Sequence, residues 1–274
     1  MLTYIYKWLS QKGIGSRWLS RKGIGSSIWI GAHELMLQPD NKHEIAYLDK
    51  YRRGIVDVDV AIGNRLFKPG DVALDLGANI GYVSLHMIAM GAKEVHAFEP
   101  HPAIFKRLQA LKTKNLFCYP FAISDKSGVQ ELILSVTHNQ GSTLYPEVVQ
   151  IRPQVFGEVP VAVKVETRTI DEIFSNKQFD YMKVDIEGGE LDFIRGAHNL
   201  LTLHSPRILA IEIKPEFRDR YLKILGEYFS FAWRVDYNRI TGDIKFMSHG
   251  APSEDGYLNQ PPNFIFSNDV SVLN

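Results

Sequence analysis

Cysteine is almost absent from this sequence of 274 residues, which contains only Cys118. A single cysteine can form no disulfide within the chain, and it excludes a zinc site built from several cysteines. We interpret Cys118 as a buried side chain, because it lies in the apolar run of residues 116–119. The shortage of cysteine suits a reducing compartment, and we expect a cytoplasmic protein.

Long apolar runs and a net charge are also missing. No apolar stretch approaches the roughly 18 residues that a membrane-spanning helix needs, and the amino terminus lacks the apolar segment and cleavage site of a secretory signal. Lysine plus arginine equals aspartate plus glutamate, at 31 each. This balance gives no overall attraction to nucleic acid. We therefore expect no nucleic-acid partner and only local electrostatic specialisation.

Acidic residues are missing from the first thirty positions, since the first acid of the chain is Glu34. This basic, aromatic segment contains a tandem duplication, with KWLSQKGIGS at 7–16 and RWLSRKGIGS at 17–26. Residues 1–30 could contact a membrane surface or form a poorly ordered leader. We favour the leader, because glycines in both copies interrupt the apolar face that an interfacial helix needs. We expect an amino-terminal extension at 1–55 and one domain at 56–274.

Strand-like and helix-like segments alternate from residue 71 onwards, which predicts an α/β fold with a mostly parallel sheet. The expected strands are 71–75, 94–99, 117–123, 181–185, 208–213, 231–237 and 263–267, and the expected helices are 43–51, 80–90, 102–114, 191–203 and 216–229. A long interruption at 128–179 contains two more strand-like pieces, 131–136 and 159–167. This insertion would reach the ligand-binding edge of the sheet only if the chain folds back there.

A glycine loop, Asp75-Leu-Gly-Ala-Asn-Ile-Gly81, joins an apolar strand to a helix. Glu99 follows 24 positions after Asp75 at the end of the next strand, where a carboxylate can bind both ribose hydroxyls. A carboxylate at Asp75 would repel a dinucleotide pyrophosphate by about 1–4 kcal/mol, and residues 71–92 contain no lysine or arginine. The loop therefore favours an adenosine ligand that carries positive charge, such as S-adenosylmethionine.

A second acidic cluster surrounds a glycine turn, with Asp185, Glu187 and Glu190 after one strand and Glu212 ending the next. Acids this close need a cation, and the candidates are a divalent metal, Lys183, Lys214 or the ligand sulfonium. Asp185 or Glu187 could remove a proton from an acceptor hydroxyl, or a metal on Asp185, Glu187 or Glu212 could polarise it. We interpret Glu190 as favouring a helix amino terminus and His138 as a solvated loop residue.

Six segments together resemble the FkbM-type methyltransferases, which use S-adenosylmethionine. They are VALDLGANIGYVSL at 72–85, VHAFEPHPAIFKRL at 95–108, FAISDKSG at 121–128, TRTIDEI at 167–173, DYMKVDIEGGELDFIRGA at 180–197 and ILAIEIKPE at 208–216. The resemblance implies a Rossmann-like, seven-stranded, mostly parallel sheet with helices on both faces. The first fifty residues lie outside it, and the last fifty match only weakly.

The resemblance also implies an activity and the residues that serve it. The activity would be O-methylation of a hydroxyl on a small molecule, sugar or glycolipid. The cofactor would be held by Asp75, Gly77, Asn79 and Gly81 at the methionine part, by Glu99 at the ribose and by Ala122 and Asp125 near the adenine, with Ala78 and Pro100 as further cofactor-binding residues. Asp185 and Glu187 would face the methyl group and the acceptor. Two alternatives remain, a nicotinamide-dependent oxidoreductase and a non-catalytic scaffold that only binds the cofactor.

Overall fold

The computed structural model describes residues 27–137, 139–248, 251 and 263–273. Its strands, numbered along the chain, are β1 (Ser27–Ile30), β2 (His33–Met36), β3 (Val72–Leu76), β4 (Glu94–Phe98), β5 (Leu116–Tyr119), β6 (Ala122–Ile123), β7 (Gly128–Leu134), β8 (Val161–Arg168), β9 (Tyr181–Val184), β10 (Ile208–Glu212), β11 (Phe231–Tyr237), β12 (Ile244–Met247) and β13 (Asn263–Ser267). Residues 1–26 and His138 lie outside the described residues, so the hypotheses that concern them are not addressed by the structure.

Helices alternate with most of these strands. They are α1 (Lys42–Arg53), α2 (Val58–Leu66), α3 (Tyr82–Ala89), α4 (Pro102–Gln109), α5 (Pro146–Ile151), α6 (Pro153–Phe156), α7 (Ile170–Ile173), α8 (Glu190–Gly196), α9 (His198–Leu203) and α10 (Arg218–Leu225), with short 3-10 turns at Pro215–Phe217 and Val270–Leu273. None of the helices within the described ranges is long and apolar enough to cross a membrane.

The main sheet has the strand order β12-β11-β13-β10-β9-β3-β4-β5. Its core from β10 to β5 is parallel, whereas β13 runs antiparallel to both β10 and β11. The predicted α/β class is confirmed. The sheet has one strand more than the seven expected, because Ile244–Met247 pairs with β11 at the edge.

Successive side chains of each strand point to opposite faces of this sheet, and both faces are covered by helices. Leu74 and Leu76 pack with α7, α8, α9 and α10 on one face. Ala73 and Val95 pack with α2 and α3 on the other. The predicted arrangement of helices on both faces is therefore confirmed, and it leaves the carboxyl ends of the parallel strands as the open edge where a site can form.

The insertion forms its own three-stranded sheet, in which β8 pairs with β6 and β7. The two strands predicted there are confirmed with small shifts at their ends. The expected strand 117–123 is divided instead, with β5 in the main sheet and β6 in the small one. Pro120 lies at the break and has no N–H to donate to a sheet ladder, which explains the division.

Several helix boundaries also differ from the sequence expectation. The helix expected at 191–203 is two helices, broken at Ala197, whose backbone angles (φ −116°, ψ 17°) leave the helical range. A 3-10 turn begins the helix expected at 216–229. The helix at 43–51 is confirmed as α1, with the Asn41 side chain capping its first N–H groups and Gly54 ending it at φ 69°.

Candidate functional site

A cavity of about 680 Å³ lies at the carboxyl ends of the central strands. Its walls come from the glycine loop, the ends of β4, β9 and β10, helix α1 and the insertion. Nine of the residues expected in the site line this cavity, namely Gly77, Ala78, Asn79, Glu99, Pro100, Ala122, Asp185, Glu187 and Glu212. Glu99 therefore lines the same cavity as Asp185, Glu187 and Glu212 of the second acidic cluster.

Gly77 brings the glycine loop against the end of β9. Its φ is +74°, a left-handed conformation, and a Cβ there would lie only 1.9 Å from the carbonyl oxygen of Asp185. Gly81 has φ +88° but faces Leu108 and Leu111 of the α4 region rather than the cavity. Gly77 thus joins the two strand ends closely, while Gly81 only permits the turn into α3.

Glu99 presents a carboxylate to the cavity at the end of β4. The backbone N–H of Asn79 donates to its Oε2 at 3.0 Å, and the N–H of His101 donates to its Oε1 at 2.8 Å. Burial raises the pKa of Glu99 to about 7, although these two hydrogen bonds oppose the shift. Each carboxylate oxygen accepts only one of these two hydrogen bonds, so the group is fixed in orientation and can still accept hydrogen bonds from a ligand.

Asp75 does not line the cavity, contrary to the sequence expectation that its carboxylate faces the ligand. The side chain is fully buried, accepts a hydrogen bond of 2.5 Å from Ser84 Oγ and lies 3.5 Å from Lys183 Nζ. The argument that an unbalanced Asp75 would repel a phosphate is therefore wrong, because Lys183 supplies the balancing charge from a different strand. Lys183, which lines the cavity, separates Asp75 from it.

Lys183 of β9 is a buried cation that lies between the carboxyl ends of β3 and β9. Its Nζ donates to the carbonyl oxygens of Leu76 and Gly77 at 3.2 and 3.1 Å and lies 3.7 Å from Asp185 Oδ2. Burial alone would lower its pKa, but the surrounding carboxylates raise the pKa above the ordinary lysine value. Of the cations considered from the sequence, Lys183 is the one that neutralises Asp75 and Asp185.

Glu187 also lines the cavity and lies beside two further cations. Its Oε2 is 3.4 Å from Lys214 Nζ and 3.8 Å from Arg152 Nη1. Burial, together with the charge of Asp185, raises the pKa of Glu187 to about 7 despite these cations. The residue also has φ +53°, a conformation that costs a non-glycine residue about 1–3 kcal/mol and is typical of functional sites.

No group of three or more histidine, cysteine, aspartate or glutamate side chains within the described ranges is arranged to hold a metal ion. Glu212, a metal candidate from the sequence, lines the cavity, and its pKa is raised well above the ordinary value by burial and then by Asp185 and Glu187. Asp59 also lines the cavity, and burial raises its pKa to about 7. Of the three metal candidates from the sequence, Asp185 lies 3.7 Å from Lys183 Nζ and Glu187 lies 3.4 Å from Lys214 Nζ.

The insertion does fold back over the glycine loop. Asn79 Nδ2 donates to the backbone oxygen of Asn139 at 3.0 Å, and Asn139 Nδ2 donates to Asn79 Oδ1 at 3.0 Å. Asn139, Gln140 and Ser142 line the cavity. Thr143 is buried instead and donates to the backbone oxygen of Glu187 at 2.7 Å.

The lining of the cavity differs from the sequence prediction in two places. Asp125 is exposed and does not line the cavity, so Phe121, Ala122 and Ile123 form the apolar wall without it. Helix α1 contributes His43, Tyr47 and Lys50, which sequence reasoning missed. The sequence did predict this helix, but nothing in the sequence indicated that the helix packs over the glycine loop.

Comparisons with known proteins identify the family. The model of the family described as "Methyltransferase FkbM domain" matches residues 75–236. No curated protein matches the chain. Among solved structures, a methyltransferase FkbM from Methylobacillus flagellatus is 16% identical (TM-score 0.48), and the match covers 81% of this chain but only 53% of that one, so this chain spans about half its length.

Two further solved structures are similar at low identity. A TehB-like SAM-dependent methyltransferase from Corynebacterium glutamicum is 12% identical, with coverage of 83% and 98% and a TM-score of 0.40. A putative RNA methyltransferase from Pyrococcus horikoshii is 13% identical, with coverage of 77% and 79% and a TM-score of 0.36. The family match includes the glycine loop, Glu99 and the second acidic cluster. The chain therefore belongs to the family of FkbM-domain methyltransferases.

Proposed function

We propose that this protein is an S-adenosylmethionine-dependent O-methyltransferase that acts on a hydroxyl of a small molecule, sugar or glycolipid. The observation that carries the proposal is that Glu99, Asp185 and Glu187 line the same cavity. Transfer of a methyl group to a hydroxyl needs a group that binds the cofactor, here a ribose-binding carboxylate, and a group that accepts the proton of the hydroxyl. Family membership supports the methyl-transfer part of the proposal.

The residues present fit the cofactor. Glu99, held by two backbone N–H groups, would accept hydrogen bonds from the ribose hydroxyls. Pro100, Phe121 and Ala122 would contact the adenine, and the backbone of residues 77–79 would lie along the methionine part. The carboxylate of Asp185, one-third exposed in the cavity, would face the positive charges of the cofactor. Asp125 has no part in this assignment, and Asp75 and Gly81 only shape the loop.

Bound S-adenosylmethionine would supply a methyl group on a positively charged sulfur, and it would leave as the neutral thioether. Glu187 would accept the proton of the acceptor hydroxyl as the oxygen forms its bond to the methyl carbon and the carbon–sulfur bond breaks. Lys214 and Arg152 hold this carboxylate in place. The walls of the cavity would align the acceptor oxygen with the methyl group for in-line displacement.

A labelled-methyl assay tests this proposal. Purified protein is incubated with methyl-labelled S-adenosylmethionine and with sugars, lipids, RNA and fractions of cell extract, with and without chelator. We expect label in a small-molecule or glycolipid fraction and none in RNA, and we expect Glu187→Gln to lower turnover by about 100-fold or more. Asp219→Asn, an exposed carboxylate outside the cavity, should retain full turnover. Cofactor binding without transfer to any fraction would indicate a scaffold instead.

A further inference from the structure

A second cavity of about 300 Å³ lies directly beside the first. It is formed by α5, the 3-10 turn Pro215–Phe217 and parts of α8 and α10. Three side chains, Tyr145, Arg152 and Lys214, line both cavities. Because Arg152 and Lys214 also contact Glu187, the second cavity adjoins the carboxylate that we assign to proton removal.

Positive charge dominates this second cavity. Its lining contains two acids, Glu147 and Asp192, and four basic side chains, Arg152, Arg195, Lys214 and Arg220. Asp192 already accepts a hydrogen bond of 2.6 Å from the Tyr145 hydroxyl and lies 3.5 Å from Arg195 Nη1. Lys214 is 7% exposed, so its charge is little screened by solvent. Such a cavity favours an anionic group.

Aromatic side chains form the other walls. Tyr145, Phe217 and Tyr221 line the cavity and offer flat apolar surfaces to a carbon framework. Tyr145 is fixed at both ends, because its hydroxyl donates to Asp192 and its backbone N–H donates to Thr143 Oγ1 at 3.1 Å. Thr143 in turn donates to the backbone oxygen of Glu187. Hydrogen bonds thus connect the wall of the second cavity to Glu187, the residue that would face the reacting hydroxyl.

We propose that this second cavity binds a carboxylate or phosphate carried by the methyl acceptor, so that the acceptor is an anionic small molecule. The inference rests on the proposed function, since it places the reacting hydroxyl at Glu187 and the anionic group toward Arg152, Arg195 and Arg220. Guanidinium groups are well suited to carboxylate and phosphate, because their paired N–H donors match the geometry of both anions.

Ligand-observed NMR titrations of the full chain, saturated with S-adenosylhomocysteine, test the inference. The probes are glucose 6-phosphate, glucuronate and uncharged glucose. We expect one or both charged probes to bind saturably and at least about tenfold more tightly than glucose. Binding of the phosphate alone or of the carboxylate alone would support the inference and identify which anion the cavity prefers.

Two arginines of the same helix provide a matched comparison. Arg220→Gln should weaken binding of the charged probe by about tenfold, the loss expected for one charge-assisted hydrogen bond. Arg218→Gln should leave it unchanged, because Arg218 begins α10 but does not line the cavity. Glucose binding as tightly as the charged probes, or an Arg220→Gln variant that binds them like the wild type, would overturn the inference. Calorimetry of the same samples with S-adenosylmethionine tests the proposed function separately.

Discussion

Lys183 shows at the scale of a single residue how the site departs from a sequence-based account. Asp75 and Lys183 are far apart in the chain but are direct partners in the parallel register of β3 and β9. The sequence predicts both strands, yet it does not predict that they are neighbours in the sheet. An acid that is unbalanced within residues 71–92 is therefore balanced in the folded protein. Under the proposed function, the acidic contacts to the cofactor would come from Glu99 and Asp185, which line the cavity.

Glu187 predicts the pH dependence of turnover. Burial raises its pKa from 4.5 to about 7, so the group is mostly protonated below pH 7 and a carboxylate above it. A base acts only when deprotonated, and we expect kcat to rise with pH around a midpoint near 7 and then level off. The measurement is kcat as a function of pH at saturating S-adenosylmethionine. Saturation keeps the cofactor bound, so titration of Glu99 in the free enzyme does not affect kcat.

The control for this profile is Asp59, whose pKa is also raised to about 7 by burial. Asp59→Asn should keep the midpoint of the profile even if the rate changes, whereas Glu187→Gln should remove the rise. A profile that is flat between pH 5 and 9 in the wild type would exclude Glu187 as the base.

At the scale of elements, helix α1 is joined to the site by one buried carboxylate. Glu44 is 1% exposed and accepts hydrogen bonds from Arg107 Nη1 at 2.6 Å and Nη2 at 2.7 Å. It also accepts from Asn139 Nδ2 at 2.8 Å, and Asn139 contacts the glycine loop through Asn79. One glutamate therefore connects α1, α4 and the insertion above the cofactor loop.

This arrangement predicts a stability difference between two carboxylates of α1. Glu44→Gln removes the charge that pairs with Arg107 and should lower the free energy of unfolding by about 1–3 kcal/mol. Asp49→Asn should change it by less than about 0.5 kcal/mol, because the Asp49 side chain is 66% exposed and its pair with Arg53 is on the surface. Urea unfolding of both variants checks this. Equal effects of the two substitutions would show that the Glu44 network contributes no more stability than the surface pair of Asp49.

The close approach of the glycine loop to β9 predicts a second difference. Gly54→Ala places a Cβ in open space and should cost only the strain of φ +69°, about 1–2 kcal/mol. Gly77→Ala has similar strain and in addition a Cβ 1.9 Å from the Asp185 carbonyl oxygen, so it should destabilise the protein by several kcal/mol more or prevent folding. Thermal unfolding of the two variants is the measurement. Similar midpoints would contradict the close contact described here.

For the whole molecule, the regular strand and helix alternation was predictable, because each apolar run has the period and length of a buried element. The contacts between distant segments were not, since they depend on strand order and on how the insertion and α1 fold back. Pro120 illustrates a signal that was present but not used: it marks the break between β5 and β6 in the sequence itself. The second cavity lies between α5, α8 and α10, which are distant in the chain, and it has no sequence signature.

The membrane contact of the amino-terminal segment can be tested with a truncation whose end point the structure defines. Ile28 and Ile30 are buried in the core with Leu35 and Tyr82, so a truncation should remove residues 1–26 and keep β1. We favour a leader without membrane function, and we expect the truncated and full-length proteins to pellet equally with acidic liposomes. Loss of pelleting on truncation would instead support membrane-surface contact by this segment.

The most direct test of the central claim is calorimetric titration with S-adenosylmethionine and with NAD at pH 8, where Glu99 is ionised. We expect saturable binding of S-adenosylmethionine, no binding of NAD, and a Glu99→Gln variant that binds S-adenosylmethionine about 10- to 100-fold more weakly. Glu94→Gln is the matched control, because Glu94 is on the same strand but outside the cavity. Tight binding of NAD without a response to S-adenosylmethionine, or unchanged affinity in Glu99→Gln, would contradict the account.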